Sequence, residues 1–267
     1  QPGTTWQPVH VRRLLSSTRW LTGELPGVDV ALLCAPTRKV TALALNYLSR
    51  GINTVDSFDL HGEELLAHRE KLAQAARRAG AAAVVSAGWD PGTDSWLRAL
   101  MELMAPRGLT FTNFGPGMSL GHSVAAKGVR GVADALAVTI PKGSGVHRRL
   151  VYVQLERGAA LAEVAAQIKA DPYFSRDETH VYQVEAVDAL RDVGHGVVLE
   201  RKGTSGAAGN QLFRWDMRIN NPALTGQIMA AAARAGAKQP PGAYTLLEIP
   251  LTHYFWEEPD ELIRRLL

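Results

Sequence analysis

Between residues 28 and 86 the chain alternates apolar runs with helical segments in a pattern that few folds accept. Residues 28–34 (VDVALLC) are a short, mostly apolar run, as a strand covered on both faces requires. Ala35-Pro36-Thr37 makes a turn. Residues 38–49 have helical spacing, with Gly51 as the C-cap. Residues 52–55 read as a second short strand, closed by the loop Asp56-Ser57-Phe58-Asp59. Residues 63–79 form a strongly amphipathic helix stopped by Gly80, and residues 81–86 a third strand. Strand and helix take turns, with short loops at the strand C-terminal ends. That is the signature of an α/β fold with a parallel, doubly wound sheet.

After Gly88 the pattern changes. Asp94 is the expected N-cap of a helix over 95–104. Strand-like runs follow at 109–113, 133–140, 150–155, 180–184, 197–201 and 211–219, interrupted by a helix over 161–170. These predict an α+β region with a mostly antiparallel or mixed sheet and helices on one face. Asn221-Pro222 opens a final helix over 223–237, ended by Pro240-Pro241-Gly242. There are no internal repeats and no low-complexity tract.

A chain of 267 residues has room for one large domain or two modest ones. Its 29 Lys and Arg against 26 Asp and Glu leave a net charge of only +3, and no basic block interleaves with aromatics. Nucleic-acid binding is therefore not expected. Cys34 is the only cysteine, so no disulfide can form within the chain, which fits a cytoplasmic setting. No apolar run reaches the roughly 18–20 residues needed to span a bilayer, and no signal-peptide pattern is visible. The chain starts at Gln1 without a Met, in a polar stretch, so its start reads as cut or processed. The histidines show no metal-ligand spacing, and GxGxxG is missing.

Residues 86–122 concentrate the chemistry. Two loops, GWDPG and NFGPGMSLGH, each follow a strand-like run and flank one helix. Loops at strand ends are where α/β enzymes place their reactive groups. Asp59 is either a helix cap or a functional carboxylate. Asp90 precedes Pro91, which holds it extended, and Asp94 is the better cap, so Asp90 points to function. Two carboxylates at neighbouring strand ends suit an ammonium group or proton transfer. Trp89 and Phe114 are either core residues or pocket walls. His122 is either structural or a carboxylate ligand and proton shuttle. Alternation puts Arg148 and Arg149 on opposite faces. The inward one suits a substrate carboxylate, and a surface ion pair is the other reading. His195, between two glycines, is in a poor setting for packing. Asn221 is explained by capping alone, and Thr139 before Pro141 is unremarkable by itself.

Together these residues resemble the meso-diaminopimelate dehydrogenase family. The resemblance is carried by VDVALLCAPT, TVDSFDLH, SAGWDPGTDS, TNFGPGMSLGHSVA, TIPKGSGVHRRLVYV, DETHVYQVEAVDAL, GHGVVLERKG, INNPALTGQ and PGAYTLLEIP, from about Val28 to Pro250. It implies an NADP-dependent oxidoreductase acting on the D-centre of meso-2,6-diaminopimelate, giving L-2-amino-6-oxopimelate and ammonia. It also implies a homodimer. The architecture it implies is a Rossmann-type dinucleotide domain over 1–88, a substrate and dimerisation domain over 89–222, and a C-terminal segment, 223–267, returning to the first. In the family a first strand, a glycine-rich turn and a first helix precede the point where this chain starts, so the dinucleotide domain reads as N-terminally incomplete.

Carried over by motif, Cys34, Ala35, Pro36, Thr37, Ser57, Phe58, Asp59, Gly88, Trp89, Asp90, Pro91 and Gly92 resemble the nicotinamide-side cofactor contacts. Asp59, Asp90, Trp89 and His122 resemble the surroundings of the reacting centre. Phe114, Met118, Ser119 and Leu120 resemble substrate-loop contacts, and Thr139, Arg149, His195 and Asn221 the clamp on the distal L-amino acid end. Two other readings compete: another two-domain NAD(P)-dependent oxidoreductase, and a non-catalytic amino acid-binding relative.

Overall fold

A computed structural model describes residues 28–191 and 194–267. The chain runs β1 (Val30–Leu33), α1 (Thr37–Leu48), β2 (Asn53–Asp56), α2 (Glu63–Ala79), β3 (Ala82–Val84) and α3 (Thr93–Met104). It continues with β4 (Arg107–Phe114), β5 (Gly117–Ser119), α4 (Leu120–Lys127), β6 (Val132–Gly143), β7 (Val146–Leu155), α5 (Leu161–Ala170) and β8 (Glu178–Gln183). Then come β9 (Gly194–Ser205), β10 (Ala208–Asn220), α6 (Asn221–Gly236), β11 (Gly242–Tyr244) and α7 (Pro259–Leu266).

Among the described residues, β1, β2, β3 and β11 form one parallel sheet in the order β1-β2-β3-β11. Its two faces carry separate cores, because successive side chains point to opposite sides. On one face Leu33, Ala83 and Val85 meet Val40, Ala44 and Leu48 of α1 and Leu72 and Ala76 of α2. On the other, Val55 and Val84 meet Met229, Ala232 and Ala235 of α6, with Leu246, Ile249 and Tyr254. Helix α6 lies close to the sheet: a Cβ on Gly236 would come 2.8 Å from Val84 Cγ2. Helix α2 is favoured by charge as well as by its apolar stripe. Glu63 and Glu64 occupy its first turn, Arg77 and Arg78 its last, and Gly80 closes it at φ 69°.

The rest of the strands make two further sheets where one mixed sheet was expected. Strands β10, β9 and β4 are antiparallel. Strands β5, β6, β7 and β8 form a mixed sheet, with β7 and β8 parallel. Helices α4 and α5 cover the mixed sheet through Ala126, Val151, Val153, Val164 and Ile168. The first three strands and two helices fall within two residues of their expected ends.

Three expectations need correction. Helix α3 starts at Thr93, so Asp94 is inside its first turn and does not cap it. The stretch read as one glycine-rich loop holds β5 and α4, with His122 on the helix. The cap of α6 is Asn220, whose side chain accepts from the Ala223 N–H at 3.1 Å, so capping does not explain Asn221.

Candidate active site

The loop after β2 is held from beneath. Asp56 is fully buried, and its Oδ1 accepts from the backbone N–H of Phe58 and of Ser86, each at 3.0 Å. Its Oδ2 pairs with His68 Nε2 at 2.9 Å, and His68 Nδ1 meets Thr41 Oγ1 at 3.0 Å. The Phe58 ring stacks on His68 at 4.2 Å. Phe58 is thus a buried support of the loop.

Three residues on, Asp59 emerges beside the turn that follows β1. Its Oδ1 accepts from Thr37 Oγ1 at 2.5 Å and from the Tyr173 hydroxyl at 2.8 Å. Burial and then the Asp59 carboxylate raise the Tyr173 phenol above its usual value, so Tyr173 stays a donor. Gly121 of α4 approaches so closely that a Cβ there would meet Asp59 Oδ2 at 3.1 Å. A cavity of about 590 Å³ opens here, at the C-terminal ends of β1 and β2. Cys34, Ala35, Pro36, Thr37, Ser57, Asp59 and Leu120 line it, with Tyr173, Thr225 and Met229. In parallel sheets, ligands bind at that edge.

The GWDPG loop folds back on itself. Gly88 bridges to Gly92, and Thr93 N–H donates to the Gly88 carbonyl at 3.1 Å. Gly92 needs to be glycine, since at φ 152° a Cβ would stand 2.0 Å from that carbonyl oxygen. Gly88 borders Ser57 and Thr225, and like Trp89, Pro91 and Gly92 it is buried. Trp89 joins the core of Met101, Val197 and Leu199 and meets Phe114 edge-on at 5.5 Å. The Trp89 ring is therefore packed into the core beneath the loops, with the half-buried Phe114 against it. Asp90 accepts from Arg98 Nη1 at 2.9 Å through Oδ1, with His61 Nε2 at 3.8 Å from Oδ2.

The far end is built on β6 and β7. Thr139 and Arg149 are register partners, and Arg149 Nη1 donates to the buried Thr139 hydroxyl. Arg149 Nε donates to Asp177 Oδ2 at 2.6 Å, while Arg148 turns out to Glu178. Ser119 and His122 are joined through Oγ and Nδ1 at 2.8 Å, and His122 stands edge-on to Tyr173 and Phe174. Burial, and after it the nearby Arg149 cation, push His122 down to about 3. That surround favours the neutral imidazole, because an apolar and cationic neighbourhood disfavours imidazolium.

Met118 lies on β5 opposite Val138. Asn221 accepts from Thr225 Oγ1 at 2.9 Å in the first turn of α6. His195 is on β9 opposite Ile219, and its side chain lies outside the described residues. Tyr173, Asp177, Arg98 and Thr225 were not singled out from the sequence. Arg98 carried a readable signal, four residues after Asp94 on one helix.

Comparison with known proteins bears directly on this arrangement. A family model described as the diaminopimelic acid dehydrogenase C-terminal domain matches residues 88–148. The meso-diaminopimelate D-dehydrogenase of Bacteroides fragilis is 54% identical over 244 residues, 91% of this chain and 81% of that one. The enzyme of the same name from Ureibacillus thermosphaericus is 31% identical, covering 90% of this chain and 81% of its own. The solved structure of C. glutamicum DAP dehydrogenase in complex with DAP has a TM-score of 0.80 at 27% identity, over 96% of this chain and 89% of that one. An engineered D-amino acid dehydrogenase bound to NADP+ has a TM-score of 0.82 at 27% identity, over 90% of this chain and 82% of that one.

Proposed function

The chain belongs to the meso-diaminopimelate D-dehydrogenase family, and from that premise we propose how its own side chains carry the family's reaction. The protein is an NADP-dependent oxidoreductase that deaminates meso-2,6-diaminopimelate at its D-centre, reversibly, to L-2-amino-6-oxopimelate and ammonia. The substrate carbon gives up a hydride and its ammonium gives up protons. Water adds to the resulting imine and displaces ammonia, leaving the 2-oxo acid.

The cavity suits one end of the dinucleotide. At about 590 Å³ it is of ligand-pocket size. Pro36, Leu120 and Met229 offer flat apolar wall, and Thr37, Ser57 and Asp59 offer polar groups at one side. Cys34, Ala35, Pro36, Thr37 and Ser57 would hold the nicotinamide side of NADP+, with Gly88 at the border. When bound, NADP+ supplies the hydride acceptor.

Asp59 orients the reacting ammonium. Thr37 and Tyr173 both bind its Oδ1 and fix the carboxylate plane, which leaves Oδ2 for the substrate. Asp90, held by Arg98, takes the second position at that centre. Holding a carbon near a hydride acceptor is worth several orders of magnitude in rate, so fixed carboxylates matter as much as basic ones. Phe114, Met118, Ser119 and Leu120 shape the middle of the site, with Trp89 packed behind. Arg149 and Thr139 bind the distal carboxylate, with His195 and Asn221 at the distal L-centre. Polar groups at both ends reject isomers, because a mismatch leaves them unpaired.

The observation that carries this reading is the pair of bonds on Asp59 at the mouth of the cavity. The test is NADP+ reduction followed spectrophotometrically with meso- and L,L-diaminopimelate, beside calorimetric binding of each. Turnover of the meso form alone is expected. Equal turnover of both isomers, or selective binding without any turnover, overturns it.

The division at residues 88 and 222 into a dinucleotide part, a substrate part and a returning C-terminal segment belongs to the same proposal, as does a cytoplasmic homodimer. Leu109 and Leu212 support the dimer: they flank Lys202 on one sheet face and are 67% and 57% exposed. Light scattering of the eluted protein checks it, a monomer mass being the adverse result. No described helix is long and apolar enough to cross a membrane.

A further inference from the structure

Asp94 is an acid that the reaction as described leaves unused. Its side chain is wholly buried in the first turn of α3, and neither oxygen receives a directed hydrogen bond from the described residues. One guanidinium lies between it and Asp90. Arg98 Nη2 stands 3.0 Å from Asp94 Oδ2, and Nη1 donates to Asp90 Oδ1 at 2.9 Å. Arg98 Nε is occupied by Thr112 Oγ1 at 3.2 Å. The Asp90 carboxylate is close enough to raise the Asp94 carboxyl. Beyond them His61 Nε2 lies 3.8 Å from Asp90 Oδ2. Two ionised carboxylates would share one partly buried cation with no proton between them. That arrangement is costly in a medium that solvates charge poorly.

We propose that Asp94 is a positioning residue that works in its neutral form: its carboxylic O–H donates to the Asp90 carboxylate and, with Arg98, fixes Asp90 toward the reacting ammonium. This rests on the reading of Asp90 given above. Burial raises the Asp94 carboxyl to about 8, the Asp90 carboxylate pushes the same way, and Arg98 opposes them. The N-terminal end of α3 favours an anion, but burial outweighs it. With its proton, Asp94 satisfies one lone pair of Asp90 and makes no demand on Arg98. Without it, Asp94 loses its donor, repels Asp90 and competes for the guanidinium.

Asp94→Asn keeps the shape and a permanent N–H donor, so comparison with wild type isolates the proton. Two readouts are needed. The first, melting temperature against pH, requires no substrate. Folded wild type retains a proton on Asp94 that the unfolded chain releases from about pH 4, so its stability falls as pH rises from about 4 to about 8. The melting temperature of Asp94→Asn relative to wild type therefore climbs through that window and then levels off. The second is the ratio of kcat values, Asp94→Asn over wild type, which cancels titration of the substrate. It rises roughly tenfold from pH 7 to pH 9, as one hydrogen bond to a charged group is lost from wild type alone. Asp94→Ala, with no donor, lowers kcat at pH 7 by about tenfold or more. A flat kcat ratio, with Asp94→Asn uniformly less stable than wild type from pH 5 to 9, would mean an ionised partner of Arg98 and overturns the proposal. If the melting pattern appears but wild type turns over no meso-diaminopimelate, the functional reading fails and the positioning role with it.

Discussion

Thr139 and Arg149 stand directly opposite each other on β6 and β7, and the guanidinium of one donates to the hydroxyl of the other. Asp177 holds the same guanidinium through Nε at 2.6 Å. Two of the five N–H donors of Arg149 are thus used to aim the group, and Nη2 is the nitrogen those bonds leave over. A fork fixed on two sides loses little freedom when it takes a carboxylate.

Arg149→Lys is expected to raise KM for meso-diaminopimelate by about tenfold or more, since an ammonium cannot hold Thr139, Asp177 and a carboxylate in one plane. Arg149→Ala should raise it further, but also leaves Asp177 without its cation. The Lys variant is thus the cleaner probe. Steady-state kinetics decide it, and an unchanged KM in Arg149→Lys removes this residue from the clamp.

Tyr173→Phe deletes one of the two donors on Asp59 Oδ1 and leaves Thr37 in place. A hydrogen bond to a charged group corresponds to about tenfold or more. The loss should appear in kcat more than in KM for NADP+, because Tyr173 aims a carboxylate at the reacting end. A variant equal to wild type would show that Thr37 alone fixes Asp59.

How these residues met explains what the sequence could and could not tell. Strands β1 to β3 were legible because Gly51 and Gly80 punctuate apolar runs whose period differs from that of the helices between them. Helix α4 was not, since Gly121 and the preceding Gly-Pro-Gly mask a short helix that tertiary packing supports. Asp94 looked like a cap because caps and first-turn acids share a residue type, and only burial separates them. Asp59 and Asp90 were readable from their places after strands. Tyr173 was not: it reaches Asp59 across 114 positions, and no local pattern encodes that contact.

His122 gives a stability signature in acid. In the folded protein burial and Arg149 hold it down to about 3, while the unfolded chain takes a proton near its ordinary 6.5. The native state is therefore favoured in full above pH 6.5, and that advantage drains away as pH falls from 6.5 toward 3. His122→Asn should show a flatter melting temperature between pH 6.5 and 4 than wild type. Parallel curves would mean that His122 takes up its proton normally in the folded state.

His68 links core stability to the reactive loop. It is the partner of Asp56 Oδ2 and the stacking surface of Phe58, and both residues belong to the turn that presents Asp59. His68→Ala leaves a buried carboxylate short of one partner and opens a gap under an aromatic ring. A cost of about 3 kcal/mol in urea unfolding is expected. His68→Gln keeps an N–H donor but not the flat ring, so it should recover part of the stability and little of the loop order. If the turn is what aims Asp59, kcat falls in both variants, and by more than in Tyr173→Phe, because the whole carboxylate moves. If kcat holds while stability drops, Asp59 is aimed by Thr37 and Tyr173 alone, and the buried Asp56–His68 pair serves only the core.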